Sequence, residues 1–131
     1  MDAHLERQLA EVLEQLEQTP GAPAANRETG RLLCRLGRHA EAQPYLERAT
    51  EGEREAANGW LYLHVAAGKG GDAPAAHHAL ERYEQLIGED ARGLARRATH
   101  LRAVGEPQAA VEYAHRALAL DPDSKLQCWI H

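Results

Sequence analysis

Three glycines, Gly37, Gly71 and Gly105, recur at an interval of 34 residues, and five residues after each stands an alanine: Ala42, Ala76 and Ala110. An interval of this length is the mark of a two-helix unit stacked on copies of itself. A single unit of that size cannot bury its own apolar face, so the chain is constrained to a continuous stack of helix pairs. The recurring alanines have a steric reason: where two antiparallel helices cross closely, a methyl group fits and a larger side chain wedges them apart.

Composition agrees. The chain has no phenylalanine, and leucine and alanine dominate its apolar set. Small and unbranched apolar residues suit packed helices, whereas strands favour β-branched and aromatic side chains. A length of 131 residues is one domain. The expected class is all-α.

Local signals place the elements. Leu5, Leu9, Val12, Leu13 and Leu16 fall at helical intervals with acids on the opposite side, which predicts an amphipathic helix stopped by Thr19-Pro20-Gly21. A first pair is expected at about 24–36 and 39–50, on either side of Gly37. A second is expected at 57–67 and 73–87, around the loop Gly68-Lys69-Gly70-Gly71-Asp72. Asp72 reads as an N-cap there, with Pro74 in the first turn, where its missing N–H costs nothing. A third pair is expected at 91–104 and 107–120, closed by Asp121-Pro122-Asp123.

On these residues the chain resembles the tetratricopeptide-repeat family. The third unit carries Gly105, Ala110, Ala117 and Leu120-Asp121-Pro122; the first Gly30, Leu33, Gly37, Ala42, Leu46 and Ala49; the second Trp60, Leu63, Gly71, Ala76 and Leu80. Departures are His64 for the family's glycine, Ala67 for its tyrosine, and Arg97 where an apolar leucine is usual. Asn26 and Thr29 make the first unit's leading helix weakly apolar. The resemblance implies one domain, a right-handed solenoid of antiparallel helix pairs. Residues 1–20 form an N-terminal helix, and the repeats are 23–54, 57–88 and 91–122. Residues 124–131 read as the start of a capping helix or of a truncated further repeat.

The resemblance also implies that the first helix of each pair lines a concave groove. Those helices are basic although the net charge is −5. Arg27, Arg31 and Arg35 recur at i, i+4 and i+8 and share a helical face; Arg92 and Arg96 do the same in the third unit, with Arg102 a turn and a half on. Lys69 lies at the mouth of the second. Residues 1–18, by contrast, hold five acids against Arg7. Like charges at i, i+4 cost a helix a few tenths of a kcal/mol, which an acidic partner offsets, and arginine forks bind carboxylates bidentately. The expectation is a basic groove of Arg27, Arg31, Arg35, Lys69, Arg92, Arg96 and Arg102 for an acidic peptide or protein segment. The alternative is a solvated face whose arginines pair with Glu28 and the amino-terminal acids.

Other chemistry finds little support. The acidic balance argues against a nucleic-acid partner. None of the eight histidines forms the His-x-x-x-His pairing of a helical metal site. Gly68-Lys69-Gly70-Gly71 lacks the frame of a phosphate loop. Cys34, beside Arg31 and Arg35, reads either as a thiol activated by cations or as a buried inert one, the latter preferred. No nucleophile, base and stabiliser can be assembled by spacing, so no enzyme activity, metal or cofactor is expected. Cys34 and Cys128 have no redox spacing, the amino terminus lacks a secretory pattern, and no stretch approaches the roughly 20 apolar residues of a membrane span. A cytoplasmic location is expected. The functional expectation is a non-catalytic protein-interaction module, an adaptor or chaperone-like scaffold. Alternatives are the regulatory or substrate-recruiting domain of a longer enzyme, and a scaffold that forms homo-oligomers through its terminal helices.

Overall fold

The three glycines do in space what their spacing implies. In the computed structural model, which describes residues 3–121, Gly37, Gly71 and Gly105 have φ of +79°, +90° and +88°, the left-handed region that a side chain disfavours. Each closes a helix with the same pair of bonds. The N–H of Arg38, Asp72 and Glu106 donates to the carbonyl of Leu33, Ala67 and Leu101, each at 2.8 Å. The N–H of each glycine reaches the carbonyl three residues back. This is the Schellman closure, repeated three times with the 34-residue period.

Seven helices are found among the described residues: α1 (Ala3–Gln18), α2 (Pro23–Arg35), α3 (His39–Gly52), α4 (Ala57–Lys69), α5 (Ala73–Ile87), α6 (Ala91–Ala103) and α7 (Pro107–Leu120). Their bounds follow the sequence reading closely, with one correction that bears on the site. The expected loop at 68–72 is shorter, because the closure at Gly71 keeps Gly68 and Lys69 helical. Asp72 caps α5, accepting from the N–H of Ala75 at 3.2 Å while Gln43 Nε2 donates to its other oxygen at 2.8 Å. The expected helix at 124–131 and Cys128 lie outside the described residues.

The chain divides into two compact units, residues up to Ala79 and residues from Leu80 on, and the division falls within α5. In the first, α1 packs on α2, α2 on α3 and α3 on α4, and α2 also runs beside α4. Leu5, Leu9, Val12 and Leu16 are the buried stripe of α1. Ala42 and Ala76 are fully enclosed, as the steric argument requires. The polar departures Asn26, Thr29 and His64 each make a hydrogen bond to the backbone. Asn26 is buried and donates to the carbonyls of Pro20 and Ala22, both at 3.0 Å, and Thr29 bonds the Ala25 carbonyl at 2.8 Å. His64 bonds the Ala76 carbonyl through Nδ1 at 2.9 Å. A carbonyl only accepts, so Nδ1 carries the proton. Trp60 is buried, donates to the Arg54 carbonyl at 2.8 Å and meets His78 edge to face.

In the second unit α6 packs on α7 around Leu94, Ala95 and Ala117, with Tyr113 against them. Asp90 caps α6: one oxygen accepts from the Gly93 N–H at 2.7 Å and the other from the Tyr83 hydroxyl at 2.7 Å. Burial first, and then this bond to a carboxylate, raise the tyrosine's pKa.

Candidate functional site

The arginine row of α2 faces α4. A Cβ at Gly59 would stand 3.9 Å from Arg27 Cδ, and Arg31 lies within electrostatic reach of Tyr62. Cys34, further along, lies within reach of Lys69. Two of the arginines are engaged by the chain's own acids. Arg27 Nη1 donates to Glu53 at 3.0 Å, and Arg31 forks onto both oxygens of Glu28 at 3.0 and 2.5 Å. The Arg31 hydrogen bond holds the Glu28 carboxyl below its usual pKa, and the same bond raises Arg31. Arg35 and Lys69 are exposed, and no carboxylate among the described residues closes an ion pair with either.

The outward stripe of α4 was not singled out from sequence. Asn58, Tyr62, Val65 and Lys69 recur at i, i+4, i+7 and i+11 and so share one face. The residues between them from Gly59 to Ala67 are buried. The usable signal was subtractive, since these positions remain once the buried residues of α4 are assigned.

The second unit carries the other three predicted residues. Arg92 is exposed and Arg96 half-buried, one turn apart on α6. Arg96 Nε is shielded from solvent with no hydrogen-bond partner among the described residues, and burial lowers the guanidinium's pKa. By helical pitch, Arg102 stands about a third of a turn away from that row. The seven basic residues thus fall into two groups, four on the first unit and three on the second. Arg97, one residue from Arg96, takes a different role. It forks onto Glu84 of α5 at 2.9 and 2.6 Å, beside a cleft of about 490 Å³ whose wall includes Leu94, Leu101, Ala109 and Tyr113. Arg116 pairs with Glu89 and stacks over the Tyr113 ring at 4.8 Å.

Comparison with solved structures decides the fold. MamA superposes with a TM-score of 0.82 at 17% identity over 96% of this chain and 74% of its own. TTC0263, a thermophilic TPR protein in Thermus thermophilus, gives 0.80 at 18% identity over 96% and 71%. YrrB, a TPR protein with an unusual peptide-binding site, gives 0.71 at 17% identity over 91% and 62%. The chain has the tetratricopeptide-repeat fold. No family model matches the sequence, and no curated protein matches it.

Within this tetratricopeptide-repeat fold the remaining candidates resolve individually. Cys34 is half-buried, and burial pushes its thiol up to about 11 against the smaller opposing pull of Lys69. That is the inert reading. With its pKa raised this far, Cys34 is almost entirely the neutral thiol at pH 8. In a Cys128→Ser variant, iodoacetamide at pH 8 should label Cys34 at least about tenfold more slowly than it labels glutathione, the lower thiolate fraction being partly offset by the greater nucleophilicity of a more basic thiolate. The rate should climb about tenfold per pH unit from 8 to 10; labelling at the glutathione rate would show the thiol to be activated. His77 and His78 are exposed, and among the described residues no three His, Cys, Asp or Glu side chains could hold a metal ion. No helix among them is long and apolar enough to cross a membrane.

Proposed function

We propose that the chain is a non-catalytic protein-interaction module whose basic α2–α4 face takes an acidic peptide or protein segment. The observation that carries this reading is the pairing of Arg27 and Arg31 with acids of the chain itself, beside Arg35 and Lys69, which have no such acid among the described residues. Four cations against two carboxylates leave the face cationic. The two-pronged Arg31–Glu28 pairing is the kind of contact that a partner's carboxylate would make with these guanidinium groups. Such partly exposed pairs are worth about 0–1 kcal/mol, so they do not bar an incoming acid. Guanidinium groups also keep further donors for a second acceptor. Arg92 and Arg96 offer a second basic surface on the other unit. The peptide-binding site ascribed to YrrB supports the reading by analogy of fold.

Fluorescence anisotropy with a fluorescein-labelled octaglutamate peptide tests the proposal. Binding should weaken as salt rises from 50 to 300 mM, because screening shortens the reach of exposed charges. Arg31→Glu and the Arg35→Glu/Lys69→Glu double variant should each lose at least tenfold in affinity. Arg92→Glu/Arg96→Glu reads the second surface separately. Unchanged affinity in the Arg31 and Arg35/Lys69 variants would remove the α2–α4 face from the binding site.

A further inference from the structure

The cleft of about 490 Å³ in the second unit is lined from the end of α5, from α6 and from the first half of α7. Three kinds of group meet in it. Leu94, Leu101 and Ala109 supply apolar wall, Tyr113 an aromatic ring, and Glu84, Glu89 and Arg97 charge. Its volume lies within the roughly 300–1,000 Å³ usual for ligand pockets.

The charges of the wall do not cancel. Arg97 forks onto both oxygens of Glu84, so that pair is neutral. Glu89 adds a further carboxylate, 63% exposed. Glu81 lies within electrostatic reach of Arg97 and is of the same sign. The helix ends act in the same direction. The C-terminus of α5 stands at the cleft, and a helix C-terminus carries partial negative charge. An anion would be drawn to the N-terminus of α6, but the Asp90 carboxylate already holds that place by accepting from the Gly93 N–H. An incoming cation is favoured, whereas an incoming anion meets Glu84, Glu89 and Asp90.

The chain itself shows which cation the ring and the carboxylate take. Arg116 stacks over the Tyr113 ring at 4.8 Å and pairs with Glu89. A guanidinium suits both contacts at once, because its plane stacks on aromatic rings and its fork binds carboxylates. Arg116 is 45% exposed and is not among the residues of the cleft wall. Exposed pairs of this kind are weakly held. An arginine entering through the cleft can lay its aliphatic stem along Leu94, Leu101 and Ala109 while its head reaches Tyr113 and Glu89.

We propose that this cleft docks an arginine side chain from a basic protein segment that also carries leucine. The incoming guanidinium displaces Arg116 from Tyr113 and Glu89, and the stem and the neighbouring leucine cover the apolar wall. Arg116 is the placeholder that keeps the ring and the carboxylate engaged when the segment is absent. All the residues of this site belong to the second unit, and its partner has the opposite charge to the one proposed for the α2–α4 face.

The test uses the full chain in anisotropy titrations with a fluorescein-labelled octapeptide of three arginine–leucine pairs spaced by glycines. It should bind at least tenfold more tightly than the same peptide with neutral citrulline for arginine, and at least threefold more tightly than its lysine counterpart. Glu89→Gln and Tyr113→Leu should each cost at least fivefold. Tyr113→Phe, which keeps the ring, should cost less than twofold. Arg116→Ala removes the placeholder and should tighten binding at least threefold. Glu14→Gln and Arg7→Ala make the same changes of charge on exposed positions of α1, and each should move the affinity less than twofold. Octaglutamate binding should be unchanged by Glu89→Gln and Tyr113→Leu, so either site can fail without the other. An arginine peptide weakened no more by Glu89→Gln than by Glu14→Gln is held by net charge alone, and the inference falls. It falls equally if Arg116→Ala gains nothing over Arg7→Ala, if citrulline serves as well as arginine, or if the arginine peptide does not bind. Loss of octaglutamate affinity in Arg116→Ala would make the cleft an anion site instead.

Discussion

Replacing Gly30 with alanine should destabilise the first unit by about 1–3 kcal/mol, the usual cost of forcing extra volume into a packed core, and the loss should vanish when Leu46 is alanine too. Gly30 lies on α2 where α3 crosses it. A Cβ there would stand 2.3 Å from Leu46 Cγ and 2.5 Å from its Cδ2. Leu46 has 0% exposure, so it has no open volume to swing into. Leu46→Ala alone should cost about 2–5 kcal/mol through lost burial and the void left behind. In that background the Gly30 methyl enters the void instead of a side chain, and alanine gains up to about 1 kcal/mol of helix propensity over glycine. The second substitution should therefore be neutral or stabilising, which a double-mutant cycle measures directly. Urea titration followed by Trp60 fluorescence in a Trp129→Phe background reports on this unit. Additive losses in the double variant would show that Gly30 is not selected by the α2–α3 crossing.

The backbone of this fold was readable because its signals are local. A glycine at a left-handed turn, an alanine five residues later and a proline in a helix's first turn each act within a few residues, and their repetition at 34 removes ambiguity. The end of α4 was misplaced by two residues for the same local reason. The run Gly68-Lys69-Gly70-Gly71 looks like loop throughout, and only the closure onto Ala67 shows which glycine turns the chain. The site was less legible. Charge periodicity located Arg27, Arg31 and Arg35 on one face and offered Glu28 as a pairing acid, which Arg31 takes; the acid that engages Arg27, Glu53, lies 26 residues away and was not legible. Whether an arginine is engaged depends on which loop passes over it. The Tyr62–Val65 stripe was hidden because a half-buried aromatic on an apolar helix reads as core until its neighbours are placed. Arg97 looked like a defect in the repeat, since its partner Glu84 lies 13 residues back on another helix.

That ion pair supports a second strong prediction. The Arg97 side chain is 12% exposed and Glu84 33% exposed, so the guanidinium depends on the carboxylate more than the carboxylate depends on it. Glu84→Ala should cost about 2 kcal/mol, less than the 3–5 typical of a fully buried pair because the carboxylate side remains open to water. Arg97→Leu, which places the residue usual in this fold at that position, should cost less. It leaves Glu84 solvated and adds an aliphatic group between Leu94 and Leu101 on α6. The double variant Glu84→Ala/Arg97→Leu should recover most of the stability lost in Glu84→Ala, because an apolar contact replaces a pair whose attraction is largely spent on desolvation. Arg97→Lys should fall between, since an ammonium cannot reproduce the two-pronged bond to Glu84. Urea unfolding at pH 7, followed by circular dichroism, ranks the four variants. If Glu84→Ala lies within about 0.5 kcal/mol of wild type, the range of an ordinary surface substitution, the pair is decorative. If the double variant is as unstable as the sum of its parts, then Arg97 supports the second unit through its aliphatic stem and not through its charge.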